Sequence, residues 1–316
     1  MKSIKTVSCS VTGYRKILEN ASCEDSFKVT HLKDMTIMSI ADGHGDSKCL
    51  FSNIGSKIAV KAAVETLKTY AKKINESDAS VFWNSHRLEI AQFLVKRFAN
   101  EVINDYVVRC KSQITAIEAE ELKTYISEQY TPNRLTCSPN EIRQLYERKK
   151  RLANRIQEIL YFYGTTVRAT VLTGTYIFSM ALGDGDTIVV LDDGVEWLLP
   201  QGAAFECETA SLCDDLSIVV EEFVFSFIDI TGTGPKDTQE ISQNNIKPKM
   251  VALCTDGLRN SFIAERFFKA MMQQISCELC GKGAFRMSSV LKPLFEKLSR
   301  ESVFQDDITV VFAHMK

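Results

Sequence analysis

Met35-Thr36-Ile37-Met38-Ser39-Ile40-Ala41-Asp42-Gly43-His44-Gly45-Asp46 is the most informative stretch of the chain. Its first seven residues form a nearly continuous apolar run, which fits a buried strand. The run stops abruptly at a polar, glycine-rich turn. Helix follows, because Ile54, Ile58, Ala62 and Val64 to Leu67 keep a helical spacing to about Tyr70. Upstream, residues 4–11 and 27–29 read as strands. Downstream, residues 79–109 read as a long helix with Ile90, Phe93, Leu94, Phe98, Val102 and Ile103 on one face. Two further helices are predicted between about 111 and 161, with a break bracketed by Pro132 and Pro139.

Strands return at Thr165. Residues 165–172, 176–182, 188–191, 196–199, 216–220, 224–229 and 250–254 are short apolar runs, many β-branched or aromatic. Thr173-Gly174 and Asp192-Asp193-Gly194 are hairpin signals. Two helices near 263–275 and 285–298 precede a last strand at 308–312. Strict βαβ alternation is absent, so a doubly wound parallel sheet is not expected. The pattern predicts an α+β fold of antiparallel sheets covered by helices.

The 316 residues are 45% hydrophobic and 25% charged, as in an ordinary globular protein. With 38 basic and 40 acidic residues, the net charge is −2. That balance gives no global field to draw in nucleic acid or an anionic membrane, and neither is an expected partner. No apolar stretch approaches the roughly 20 residues of a membrane span; residues 218–230 come nearest and are broken by Glu221 and Glu222. The N-terminus lacks a secretory core. A cytoplasmic location is expected, where the ten cysteines stay reduced. Cys277-Glu278-Leu279-Cys280 has no second ligand pair for structural zinc and reads as incidental. The run Arg148-Lys149-Lys150-Arg151 reads as a solvated helix face with acids at i,i+4, within a segment expected to form surface helices.

One feature recurs. Apolar strands end in aspartate beside glycine: Asp42-Gly43, Gly183-Asp184-Gly185-Asp186 and Asp256-Gly257. Asp306-Asp307 and Glu24-Asp25 instead open strands. Stacked sheets bring such ends to one edge. Clustered carboxylates repel one another, and a divalent cation removes that penalty. Oxygen-only donors select Mg²⁺, Mn²⁺ or Ca²⁺ over zinc. Any one Asp-Gly alone marks a turn.

As an ordered set, Cys23-Glu24-Asp25-Ser26, Ala41-Asp42-Gly43-His44-Gly45, Gly164-Thr165-Thr166, Gly183-Asp184-Gly185-Asp186, Cys254-Thr255-Asp256-Gly257-Leu258 and Asp306-Asp307-Ile308-Thr309 resemble the metal-dependent type 2C serine/threonine protein phosphatases, in a bacterial form. The resemblance runs from about residue 5 to the C-terminus. It implies two antiparallel sheets packed face to face with helices outside, in a single 1–316 domain carrying a helical insertion at about 111–161. It implies two Mn²⁺ or Mg²⁺ ions per active site and a metal-activated water that hydrolyses phosphoserine or phosphothreonine in a protein substrate. The cognate kinase then acts in trans. By motif match, Asp42 bridges the metals, Asp256 and Asp306 complete one site, and the Gly43 carbonyl, Glu24 and Asp25 serve the other. Asp306 is chosen over Asp307 on the family's aspartate, polar residue, Ile-Thr pattern.

The resemblance makes His44 the general acid for the leaving oxygen; the plainer reading has it bonded to neighbouring carboxylates. The family often places a phosphate-holding arginine shortly before the first acid. Here Arg15 and Lys16 are the nearby cations, and Asn20 stands four residues before Glu24. An acidic third-metal ligand before Gly-Thr-Thr has Glu158 as its nearest counterpart. Cys23 lacks the Cys-x₅-Arg loop of a nucleophilic phosphatase. Two other functions compete with this one: a non-catalytic relative that binds without turnover, and a hydrolase of small phosphoesters. Retention of Asp42, Asp256 and Asp306 disfavours the first, and no base-recognition motif supports the second.

Overall fold

The computed structural model describes residues 4–74, 78–129, 139–199, 209–216, 218–231 and 247–315. The chain begins β1 (Lys5–Val11), α1 (Tyr14–Leu18), β2 (Ser26–His31), β3 (Met35–Ala41). Four helices follow: α2 (Ser52–Ala71), α3 (Ala79–Arg109), α4 (Ala116–Glu128) and α5 (Pro139–Tyr161). Then come β4 (Val167–Thr173), β5 (Tyr176–Leu182), β6 (Asp186–Val190), β7 (Val195–Trp197), β8 (Val224–Asp229) and β9 (Met250–Cys254). The last elements are α6 (Asp256–Asn260), α7 (Glu265–Lys282), α8 (Ala284–Glu301) and β10 (Ile308–His314).

Two five-stranded sheets form, ordered β1-β10-β9-β6-β7 and β2-β3-β4-β5-β8. The paired strands run antiparallel. Period-two alternation builds the layers. On β3, Met38 and Ile40 pack between the sheets with Val251, Leu253 and Val311. Ile37 and Ala41 point the other way, onto α2 and α3. On the first sheet, Val310 and Phe312 turn outward to Phe268 of α7 and Leu291 of α8. The molecule is therefore helix, sheet, sheet, helix, as the sequence predicts.

Two expectations change. Residues 216 and 218–220 are not in a strand. Ile218 and Val219 N–H both donate to the Asp215 carbonyl, so the segment is wound into turns. Its apolar Leu216, Val219 and Val220 are buried in the helix-side core, and burial without a ladder produced the strand-like pattern. The segment 111–161 is also more than surface. Leu122 and Ile126 of α4 and Ile156, Ile159 and Leu160 of α5 join the same core. Arg148 pairs with Glu121 across the two helices at 2.9 Å rather than along its own. The break at Pro132 lies outside the described residues.

Candidate active site

The acids of the strand ends come together from five places: the approach to β2, the end of β3, the β5–β6 turn, the start of α6 and the approach to β10. Asp25, ahead of β2, is buried. Its Oδ2 accepts from Thr255 Oγ1 at 2.8 Å, while Oδ1 is buried with no hydrogen-bond partner. The charges of Asp25 and Asp256 both act on Asp42, at the end of β3. Burial and mutual repulsion favour the protonated forms of these acids. Burial, then the charge of Asp307, pushes Asp25 up to about 8. Burial, then Asp184 and Asp306, pushes Asp256 up to about 6. Burial and the charges of Asp25, Asp256, Asp306 and Asp184 hold Asp42 well above the usual carboxylate range. Asp306 is raised chiefly by burial.

Two adjacent aspartates divide the work at residues 306 and 307. Asp307 is buried and fully engaged. Its Oδ1 accepts from Gly13 N–H at 2.7 Å. Its Oδ2 accepts from Glu24 N–H at 2.8 Å and from Lys16 Nζ at 2.6 Å. Asp306 is half-buried, and its Oδ1 accepts from Asp307 N–H at 2.8 Å. Gly257 lets α6 close on this corner, since a Cβ there would sit 2.0 Å from the Asp307 carbonyl oxygen.

Lys16 is buried, its Nζ 2.6 Å from both Glu24 Oε2 and Asp307 Oδ2. Burial opposes its charge, but the bonds to Asp307 and Glu24 outweigh it and raise the ammonium above its ordinary range. Lys16 thus ties α1 to two acids. Arg15 is exposed, with its charge felt at Asp306. Lys16→Met is expected to strand buried Asp307 without its cation. Breaking such a pair costs about 3–5 kcal/mol, to be read as a lower urea midpoint.

Glu24 is half-buried, and its Oε1 accepts from Ser52 Oγ at 2.5 Å. Gly43 packs against the Glu24 carbonyl, 2.7 Å from where a Cβ would stand. His44 N–H donates to the Gly164 carbonyl at 3.0 Å, and its ring lies over Gly164, where a Cβ would meet Cδ2 at 2.6 Å. Burial lowers the imidazole pKa, opposed by the charges of Asp184, Asp214, Glu24 and Asp46. Glu158 instead lies on α5, bonded to Arg155 at 3.2 Å. Cys23 is half-buried and burial pushes it up to about 12, which disables it as a nucleophile at neutral pH. Cys277 and Cys280 are exposed on α7.

Sequence reasoning quoted Asp184 but gave it no role. Its charge reaches Asp42, Asp256 and His44. The signal was there: Gly183-Asp184-Gly185 is one of the aspartate–glycine strand ends.

The donor set fits a hard divalent cation: oxygen donors, mutual repulsion and an unpartnered buried carboxylate oxygen at Asp25. Among the described residues, no group of three or more His, Cys, Asp or Glu side chains is already spaced as a ligand shell. The proton count fixes a pH dependence. Asp25 and Asp256 have higher pKa values folded than the roughly 3.9 of an unfolded aspartate. The folded metal-free chain therefore binds more protons, and its stability falls as pH rises through about 6 and then about 8. Thermal unfolding in chelator is expected to move to lower temperature from pH 5 to pH 8.5. Added Mn²⁺ is expected to restore stability at the alkaline end.

The fold is thus a two-sheet sandwich between helices, with acids from five elements gathered at one edge. The family model for protein phosphatase 2C matches residues 12–295, and the chain belongs to that family. By family it is a protein serine/threonine phosphatase. The photosystem II phosphatase PBCP has a similar fold, at 12% identity and TM-score 0.54, covering 99% of each chain. A bacterial serine phosphatase is similar at 11% identity and TM-score 0.53, covering 99% of this chain and 98% of the other. No curated protein sequence matches significantly. Among the described residues no helix is long and apolar enough to cross a membrane.

Proposed function

We propose that the protein removes phosphate from serine and threonine side chains of phosphorylated proteins in the cytoplasm, opposing a kinase that acts in trans. The residues that would hold two Mn²⁺ or Mg²⁺ ions are Asp42, Asp256 and Asp306 for one, and Asp42, the Gly43 carbonyl, Glu24 and Asp25 for the other. The observation that carries this reading is the gathering of acids around Asp42, whose burial and mutual repulsion raise their pKa values. When bound, the ions supply charge neutralisation, phosphoryl orientation and acidification of a water.

The chain's own residues do the rest. Thr255 fixes one Asp25 oxygen and leaves the other free to coordinate. Ser52 and Lys16 hold the two oxygens of Glu24. Thr166 N–H donates to the Asp42 carbonyl at 2.9 Å and sets the end of β3. With Lys16 already engaged, exposed Arg15 beside Asp306 is the better phosphate donor, and its planar fork suits a phosphoryl group. His44 gives a proton to the leaving alkoxide oxygen.

Phosphate release from a phosphothreonine peptide and from nucleoside phosphates, with Mn²⁺ and with chelator, tests the reading. Mn²⁺-dependent turnover favouring the peptide supports it. Preference for nucleotides indicates a small-phosphoester hydrolase. Mn²⁺ binding without turnover of either indicates a non-catalytic module.

A further inference from the structure

Arg168 is an arginine in the middle of a sandwich, only 2% exposed. It lies on β4 opposite Ile40 of β3 and Ala181 of β5. Its neighbours Val167 and Ala169 face the helices, so alternation turns Arg168 into the gap between the sheets. A buried guanidinium is costly unless its donors are used. Here Nε donates to the Asp184 carbonyl at 2.8 Å, Nη2 to the Gly183 carbonyl at 3.0 Å, and Nη1 reaches Thr187 Oγ1 at 3.5 Å. All three partners belong to the β5–β6 turn and the strand that follows it.

That turn is shaped to be gripped. Gly183 and Gly185 have φ of 84° and 98°, a region open to glycine and strained for other residues. A Cβ on Gly185 would stand 3.1 Å from Arg168 Nε and 2.8 Å from the Cys254 carbonyl oxygen. A Cβ on Gly183 would meet Thr166, whose N–H bonds to the Asp42 carbonyl. The turn is therefore wedged between the chain that fixes Asp42 and the chain that leads to Asp256.

On the outer face of the same strand, Asp186 accepts from Trp197 Nε1 at 2.7 Å, and its other oxygen lies 3.3 Å from Arg259 Nε on α6. Both ends of the turn are thus anchored, and its half-buried side chain is Asp184.

We propose that Arg168 is a positioning residue of the phosphatase centre: its fork on the Gly183 and Asp184 carbonyls holds the Asp184 carboxylate against Asp42 and Asp256, making Asp184 a further acid of the cation site. The charge that Asp184 exerts on both aspartates and on His44 agrees with this placement. Lysine keeps the charge but not the fork. Supporting partners of this kind typically cost about 10–100-fold in metal affinity when removed.

The inference rests on the centre holding Mn²⁺, so the readout is Mn²⁺ binding itself, followed by loss of the free-ion electron paramagnetic resonance signal, beside kcat and KM for a phosphopeptide. Asp184→Asn, Arg168→Lys and the double variant form a cycle. Each single change is expected to weaken Mn²⁺ binding about tenfold or more and to lower kcat more than it raises KM. The double variant is expected to be no weaker than the worse single. Val171→Ala, in the core of the same strand, is expected to lower the unfolding temperature and leave Mn²⁺ binding unchanged.

Multiplying effects in the double variant overturn the proposal, because Arg168 then acts on something other than Asp184. So does wild-type Mn²⁺ binding by Asp184→Asn, a partly exposed change that tests the idea even if Arg168→Lys does not fold. A wild-type protein that binds no Mn²⁺ overturns the reading of the whole centre and this inference with it.

Discussion

Asp256→Asn is expected to lower Mn²⁺-dependent turnover of a phosphothreonine peptide by more than about 10²-fold, since groups merely supporting a metal ligand already cost about 10–100-fold. Asp256 opens α6, and Asn260 Nδ2 donates to its Oδ2 at 2.8 Å, which leaves Oδ1 for the proposed ion. The same change is expected to leave the fold intact. Asp256 is already pushed up to about 6 by burial and by its acidic neighbours, so an amide relieves a repulsion that the folded chain otherwise bears. The unfolding temperature in chelator at pH 8 is expected to match or exceed that of the wild type, while the gain on adding Mn²⁺ shrinks. Undiminished turnover sinks the metal assignment. Lost turnover with a lower unfolding temperature in chelator makes Asp256 a structural acid instead.

His44→Gln is expected to separate two kinds of substrate. A serine or threonine alkoxide is a poor leaving group and needs a proton in the transition state, whereas nitrophenolate leaves with little help. A general acid contributes about 10²–10⁴-fold. Phosphopeptide turnover is expected to fall by that factor, and aryl phosphate turnover far less. Burial works against the charged imidazole, and the surrounding carboxylates work for it. The competing outcome is therefore concrete: equal losses on both substrates, relieved by excess Mn²⁺, mean that His44 orients the acids rather than donating a proton.

The layered fold was readable because alternation and helical spacing are local signals. β9 is an unbroken apolar run and β3 and β5 are nearly so, as strands covered on both faces tend to be. The acids were readable because each sits beside glycine or at a strand boundary, where a side chain is exempt from the packing pattern. What lay beyond reach depends on partners distant in sequence. Apart from the family's motif pattern, nothing in the local composition separates Asp306 from Asp307, whose surroundings diverge because Gly13, Glu24 and Lys16 engage only the second. Nothing local marks Lys16 as buried or Arg168 as an internal clamp, since both look like surface cations. Leu216, Val219 and Val220 failed in the opposite sense: they are apolar and buried, but around them the Ile218, Val219 and Glu221 N–H groups bond to nearby carbonyls of the same segment rather than to a neighbouring strand.

β10 lies between β1 and β9 in its sheet, and Asp307, at its threshold, binds the backbone of Glu24 from 283 positions away. This arrangement sets a clock on biosynthesis. At about 5–20 residues per second, the amino-terminal acids wait on the ribosome for a strand not yet translated. Until it emerges, β1 has no neighbour and Lys16 lacks one of its two counter-ions. A nascent chain can therefore assemble this corner only after β10 has been synthesised, so the amino-terminal acids are held open until the last element that braces them arrives.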